Sequence, residues 1–69
     1  MRQTLYEIDT EECTITTFEG HAYLIDPSYV SAICTWIPTT ELEVEKRNEA
    51  IIITQTSTGT EVNALLELY

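Results

Sequence analysis

The 69-residue sequence is short of basic residues: Lys and Arg together number three, against twelve Asp and Glu, for a formal net charge of −9. A field this negative repels phosphate backbones and anionic membrane surfaces, so we expect no direct binding to nucleic acid and none to a membrane. The same field attracts cationic surfaces. We therefore expect a basic protein partner, a class that includes nucleic-acid-binding proteins.

Long apolar segments are also missing. No run near the N-terminus has the length of a signal-peptide core, and no stretch approaches the roughly 18 apolar residues of a membrane span. We expect a cytoplasmic protein in which Cys13 and Cys34 are free thiols. With two glycines, two prolines and a hydrophobic fraction of 43%, the composition is that of a folded chain, and residues 1–69 form a single small domain.

Motifs for catalysis or metal binding are scarce. His21 is the only histidine, and the sequence has no nucleophile elbow and no glycine loop for phosphate. Cys13 and Cys34 match no zinc spacing. We therefore expect neither enzyme activity nor a cofactor. A small metal-binding or hydrolytic protein that uses His21 with Cys13 and Cys34 remains the less favoured alternative.

The chain is rich in threonine and isoleucine, which favour strands. Segments Gln3–Ile8, Cys13–Phe18 and His21–Ile25 are predicted strands, and Gly20 suits a tight turn between the second and third. Together they predict an antiparallel meander. Asp26, followed by proline, then predicts a single helical turn.

Three further strands are predicted after that turn: Val30–Ile37, the alternating "ELEVE" of residues 41–45, and Ala50–Thr56, which is apolar enough to be central. The polar segment Lys46–Glu49 fits a turn between the last two.

The end of the chain carries a helical signal. Thr58 precedes Glu61 at the spacing of a capping box, and a helical apolar stripe follows. The stripe consists of Val62, Leu65, Leu66 and Tyr69. We predict a helix at 59–68, and hence an α+β fold. It would be a small antiparallel sheet or partly closed barrel of five to six strands with one C-terminal helix packed on it.

The strongest candidate for a binding surface is acidic. In "ELEVE", Glu41, Glu43 and Glu45 project to one face of the strand and alternate with inward apolar residues. Such a row either protects a sheet edge from mispairing or faces a basic partner, where it can imitate a phosphate backbone. Trp36 and Tyr29 are candidate anchors, because aromatic side chains dominate binding hot spots. The full predicted set is Glu41, Glu43, Glu45, Asp9, Glu11, Glu12, Trp36 and Tyr29.

The run "TFEGHAYLIDPSYVSAI", followed by "IIIT", resembles small bacterial proteins of the FlbD type, in which a glycine hairpin precedes a crossover and a further strand. The likeness rests on Gly20, Leu24 and Ile33, and a long acidic stretch stands where that family has a short turn. The resemblance implies a β-hairpin followed by a crossover, and no function is transferred with it.

The sequence thus predicts a non-enzymatic acidic module that binds a basic protein, as an inhibitor or adaptor of phage or mobile-element origin. The alternative is a homo-oligomeric structural protein, a homodimer being the simplest form. Its interface would use Ile51 and Ile53 or the stripe that begins at Val62.

Overall fold

A computed structural model of the protein describes residues 1–48 and 50–68. Six antiparallel strands close into a barrel in the order β1-β2-β3-β6-β5-β4. The connection between β3 and β4 holds a 3₁₀ turn, Pro27–Tyr29, and one short helix, α1, Val30–Ile33. The strands are β1 Arg2–Asp9, β2 Thr14–Thr17, β3 Ala22–Ile25, β4 Glu41–Arg47, β5 Ala50–Gln55 and β6 Thr60–Glu67.

The barrel consists of two three-stranded meanders, β1-β2-β3 and β4-β5-β6. Two seams join them. At the first, β1 pairs with β4 from Arg2 opposite Glu43 to Thr4 opposite Glu41. At the second, β3 pairs with β6, and Leu24 lies opposite Leu66. Both seams are antiparallel, and because each meander pairs with the other at both of its edges, the sheet closes on itself.

The interior is filled by the inward-facing residues of all six strands, because side chains alternate between the two faces of a strand. Residues 26–40 between the meanders, which we call the connector, add Ile33 and Trp36 to this core. The strand residues of the core are Leu5, Ile15, Tyr23, Ile25, Leu42, Val44, Ile51, Ile53, Val62 and Ala64.

The predicted C-terminal helix at 59–68 is wrong, and the α+β class is wrong with it. Strand β6 occupies this region and pairs with β5 on one side and β3 on the other. Val62 and Ala64 are buried, whereas Leu65 is 55% exposed. Tyr69, the last member of the predicted helical stripe, lies outside the described residues. The backbone N–H and C=O groups of this segment form hydrogen bonds with two neighbouring strands, where a helix would have paired them within the segment.

The capping-box spacing has a different use in this fold. The Thr58 hydroxyl oxygen accepts a hydrogen bond from the Thr60 N–H at 3.3 Å within the β5–β6 turn. The backbone N–H of Gly59 donates to the Gln55 carbonyl oxygen at 2.8 Å. Gly59 has φ +77, a conformation that glycine adopts at little cost. Threonine and glycine therefore close a hairpin here.

The predicted strand Val30–Ile37 is also wrong. The Asp26 carboxylate accepts a hydrogen bond from the Ser28 N–H at 3.0 Å, as predicted, and the helical turn then continues into α1. The Cys34 N–H donates to the Val30 carbonyl oxygen at 3.0 Å. Ile33 and Trp36, three residues apart, both reach the core from this segment.

The other predicted strands are confirmed, with adjusted ends. Strand β4 continues through Arg47, so the turn predicted at Lys46–Glu49 begins only at Asn48, and Glu49 lies outside the described residues. Strand β5 lies between β4 and β6, as expected for the apolar segment at 50–56. Neither helical segment in residues 1–48 and 50–68 has the length and apolar character needed to cross a membrane.

Strand β1 changes neighbours halfway along its length. Its pairing with β4 covers Arg2 to Thr4, and Leu5 bonds to the connector instead. The Leu5 N–H donates to the Thr40 carbonyl oxygen at 2.8 Å, and the Leu5 carbonyl oxygen accepts from the Thr39 N–H at 2.7 Å. Its register with β2 shifts between Leu5 and Glu7. Residues 6–9 therefore lie between β2 and the connector.

Candidate protein-binding surface

The glutamate row on β4 is paired within the chain. Glu41, Glu43 and Glu45 face outward, as predicted. However, the Arg2 guanidinium lies 2.7 Å from the Glu41 carboxylate and 3.4 Å from that of Glu43, and Arg47 lies 2.5 Å from the Glu45 carboxylate. The N-terminal amine also lies 3.7 Å from the Glu43 carboxylate. Much of the row's charge is thus neutralised by the protein itself.

A second set of carboxylates lies in the last residues of β1 and in the turn before β2: Glu7, Asp9, Glu11 and Glu12. We call this set the acidic hairpin. Among the described residues, all three Lys and Arg side chains pair elsewhere, Lys46 with Glu67 at 2.7 Å. No ion pair of the acidic hairpin occurs in residues 1–48 and 50–68. Its charge is free to act on another molecule.

Asp9 shapes the acidic hairpin. Its Oδ1 atom accepts hydrogen bonds from the backbone N–H groups of Glu11 and Glu12, both at 3.0 Å. Cys13, at φ 58, then turns the chain into β2. This arrangement uses one Asp9 oxygen to hold the turn and leaves the Glu11 and Glu12 side chains exposed.

A groove of about 300 Å³ lies beside the acidic hairpin, between the second half of β1 and the connector. Trp36, a candidate anchor, is 5% exposed; it belongs to the core and also lines the groove. Tyr29 packs against the core and does not line the groove. The lining residues are Leu5, Tyr6, Glu7, Ile8, Thr10, Cys34, Trp36 and Pro38.

The other notable polar group lies inside the barrel, where Gln3 is 1% exposed. Its Nε2 donates to the Tyr23 hydroxyl oxygen at 2.8 Å, while its Oε1 has no hydrogen-bond partner among the described residues. Burial raises the pKa of Tyr23. This pair is a packing feature of the barrel and shares no residue with the groove.

Glu67 links two basic side chains near Tyr23. Its carboxylate lies 2.7 Å from Lys46 Nζ and 3.1 Å from His21 Nδ1. The Lys46 hydrogen bond, more than that of His21, holds the pKa of Glu67 below its usual range, and Glu67 in turn raises the pKa of Lys46. His21 is thus held by a carboxylate instead of facing solvent freely.

The metal and hydrolase alternative finds no assembled site in the part of the chain that is described. Cys13 lies in the β1–β2 turn and Cys34 follows α1, and both are free thiols. His21 contacts Glu67. No group of three or more His, Cys, Asp or Glu in residues 1–48 and 50–68 is placed to hold a metal ion.

The oligomer alternative loses part of its predicted interface. Ile51, Ile53 and Val62 are inside the barrel and are not available for contact. Leu65 and Leu66, at 55% and 45% exposed, remain on the outer surface of β6.

Sequence reasoning found the acidic turn and Trp36 but not the groove that joins them. The groove depends on the irregular register of β1 and on α1, which brings Cys34 and Trp36 against β1. Glu7 was missed because the strand pattern alone does not show that it lies beside a recess. Exposed apolar side chains near the groove include Ile37 and the aromatic pair of Tyr6 and Phe18, whose ring centroids are 4.9 Å apart.

Comparison of the chain with protein-family models, with curated proteins and with solved structures found no match. The resemblance to FlbD-type proteins therefore has no support from these comparisons. Proposals about function rest on the geometry of this chain.

Proposed function

We propose that the protein is a non-enzymatic binding module that engages a basic segment of a partner protein through the acidic hairpin and the adjoining groove. One observation carries the proposal: carboxylates without an internal cation adjoin an apolar recess, whereas the β4 glutamates are paired with Arg2 and Arg47. The structure thus supports the acidic set Glu7, Asp9, Glu11 and Glu12 ahead of the β4 row.

The two parts of this surface contribute differently to binding. Exposed carboxylates accelerate encounter with a cationic partner and make binding depend on salt. An apolar side chain placed in the groove against Trp36 slows dissociation, because buried contacts dominate the energy of an interface. A partner that presents both basic and apolar groups fits this surface best.

The proposed setting is the cytoplasm, where Cys13 and Cys34 stay reduced. The proposed role is that of an inhibitor or adaptor, of phage or mobile-element origin. An acidic surface of this kind competes with a phosphate backbone for a nucleic-acid-binding protein, because such proteins rely on cationic contacts.

Two charge-matched triple variants test the proposal. One replaces Glu7, Glu11 and Glu12 with Gln, and leaves Asp9 in place because it holds the turn. The other replaces Glu41, Glu43 and Glu45 with Gln and removes the same number of charges. Each purified protein is used as bait in a bacterial lysate at low and at raised salt, and captured proteins are identified by mass spectrometry.

We expect the wild type and the β4 variant to retain a basic partner that salt releases, and the hairpin variant to lose it. Equal loss in both variants would show that only net charge matters and would refute a specific site at the acidic hairpin. Capture that is insensitive to salt would refute the electrostatic mechanism.

A homodimer is the second candidate, favoured by Leu65, Leu66 and Leu68 on the outer surface near the chain's end. Sedimentation of the wild type and of a Leu65→Lys, Leu66→Lys variant tests it. A dimer that the variant lacks supports this candidate, and a monomeric wild type at high concentration rejects it.

A further inference from the structure

We infer that the partner segment binds in an extended conformation, as an added strand along residues 6–9 of β1, with one apolar side chain in the groove and basic residues on either side of it. The inference rests on the proposed function and specifies the ligand: a short peptide in which basic and uncharged residues alternate.

The backbone of β1 supports strand addition. On its β4 side, pairing covers Arg2 to Thr4, and Leu5 bonds to the connector. From Tyr6 to Asp9, β2 is the only strand paired with β1 among the described residues. The connector faces residues 6–9 across the groove, but among the described residues no backbone hydrogen bond joins the two. The peptide groups on this side are therefore available to a further strand, which is how many domains recognise peptides.

The groove lies along this same unpaired side. Its volume of about 300 Å³ is at the lower end of the range for ligand pockets. That space suits one or two side chains better than a large compact ligand. Leu5, Ile8, Trp36 and Pro38 make its wall largely apolar, so an aliphatic side chain is the matching group.

The charge pattern supplies the remaining specificity. Glu7 and Asp9 are exposed, while Ile8 between them is half-buried. A strand laid beside them repeats this alternation, because successive side chains point to opposite faces. Basic residues then lie across from Glu7 and Asp9, and the residue between them faces the groove. Opposite charges across neighbouring strands stabilise the pair.

A second copy of this chain is a poorer occupant, because it carries the same charge of −9. A neutral apolar molecule would leave the carboxylates unused. Both are distinguished from a basic peptide by the experiment below.

The probe is a fluorescent peptide, Lys-Thr-Lys-Leu-Lys-Thr-Lys, titrated with the protein and followed by fluorescence anisotropy. Three modified peptides accompany it. In the first, Ser replaces Leu; in the second, Glu replaces every Lys. In the third, backbone N–H groups are methylated at alternate residues, in two versions that cover the two edges of the peptide.

Cys34 provides the test on the protein side, because it lines the groove and its thiol is exposed. Alkylation with a bulky maleimide fills the groove without changing any charge on the acidic hairpin. The matched control is Cys34→Ser, which leaves Cys13 as the remaining thiol and is treated with the same reagent.

We expect the parent peptide to bind, and the Leu→Ser and Lys→Glu peptides to bind at least tenfold more weakly. One methylated version should lose binding by a similar factor and the other should keep it, because only one edge of an added strand faces β1. Alkylation of the wild type should abolish binding, and the treated Cys34→Ser protein should still bind.

Other results overturn the inference in distinguishable ways. In one such result, salt and the hairpin variant weaken binding, but the Leu→Ser change, methylation and alkylation leave it unchanged. That result would refute strand addition, while the proposed function would stand. Binding of the Leu-containing peptide regardless of its charge would point to an apolar ligand and refute both. If the wild type self-associates and alkylation abolishes this self-association, the occupant of the groove is a second copy of the chain, and the inference is refuted. Failure of every peptide to bind would overturn it together with the proposed function.

Discussion

Gln3 is a polar residue in an apolar environment. It lies in the barrel interior, gives one hydrogen bond to Tyr23 and leaves Oε1 without a partner among the described residues. A buried polar atom without a partner destabilises the folded state, because water satisfied it in the unfolded chain. The pair therefore joins a favourable contact to an unfavourable one.

A double-mutant cycle separates these effects. Tyr23→Phe removes the one hydrogen-bond partner that the Gln3 amide has among the described residues and should lower the free energy of unfolding by about 1–3 kcal/mol. Adding Gln3→Leu to that variant should restore much of the loss, because no buried polar group remains at either position. Urea unfolding measures all four proteins. Additive effects of the two substitutions would show that the hydrogen bond is not formed.

The alkaline pH dependence of stability follows from the same tyrosine. Burial raises the pKa of Tyr23 above the ordinary value of 10.0, so the folded state holds this proton more tightly than the unfolded state does. Its stabilising contribution is complete below the unfolded pKa and is lost as pH rises through the folded one. The free energy of unfolding should therefore fall above about pH 10.

Unfolding measured across alkaline pH checks this expectation in wild type, Tyr23→Phe and the exposed-site control Tyr6→Phe. Tyr23→Phe should flatten the decline, and Tyr6→Phe should keep it. The raised pKa of Lys46, caused by its hydrogen bond to Glu67, acts in the same direction in all three proteins. An unaltered slope in Tyr23→Phe would contradict the assignment.

At the scale of elements, the sequence predicted five of the six strands and misassigned two segments. Val62, Leu65 and Leu66 fit a helical stripe, whereas β6 buries Val62 and exposes the two leucines. The long-range pairing of β6 with β3 and β5 decides between helix and strand, and the local pattern does not show it. Residues 30–37 have a composition that favours a strand. They form a helical turn instead, because Asp26 begins that turn and because it allows Ile33 and Trp36 to be buried. Local patterns cannot show which packing partner is present.

Substitutions at Ala64 and Leu65 test the orientation of β6. Ala64 is 6% exposed and Leu65 is 55% exposed. Ala64→Asp buries a charge in the core and should destabilise by several kcal/mol, whereas Leu65→Asp should change stability by less than about 0.5 kcal/mol. Thermal unfolding of both variants measures the difference. The reverse order would place Leu65 inside, as the helical pattern had indicated.

Thr39 is the strained point of the connector, since this β-branched residue has φ 74. Its N–H bonds to Leu5 and so holds the connector against β1. Thr39→Gly keeps that N–H and relieves the strain, so it should raise the free energy of unfolding by about 1 kcal/mol. Thr35→Gly is the matched control and should lower stability, because it loses the hydroxyl bond to Ala32 without relieving a positive φ. Urea unfolding measures the stability of both variants. A Thr39→Gly variant less stable than the wild type would show that Thr39 is not strained.

For the whole molecule, charge opposes compactness. The acidic hairpin gathers carboxylates that pair with no cation in the described structure, while the net charge is −9. Its members Asp9, Glu11 and Glu12 could be predicted from the sequence, as could Trp36. That these residues lie close to Glu7 and to the groove could not be predicted, because this arrangement depends on the register shift in β1 and on how the connector packs.

Screening should therefore stabilise the protein. Raising ionic strength from about 10 mM to about 0.3 M shortens the range of repulsion and should increase the melting temperature. A Glu11→Gln, Glu12→Gln variant should melt higher than wild type at low salt and respond less to added salt. Glu41→Gln is the control and should not gain stability, because it loses the Arg2 pair. A melting temperature that falls with salt would show that the internal ion pairs outweigh the repulsion.

The two seams of the barrel also determine the order in which it can assemble. Each meander forms from neighbouring segments, but the seams join residues as distant along the chain as Arg2 and Glu43, and this makes closure the slow step. Until closure, each meander has two open strand edges that can capture another chain during folding. Mutual repulsion between nascent chains of the same high negative charge keeps such edges apart. The charge that weakens the finished barrel thus protects it from aggregation while it forms.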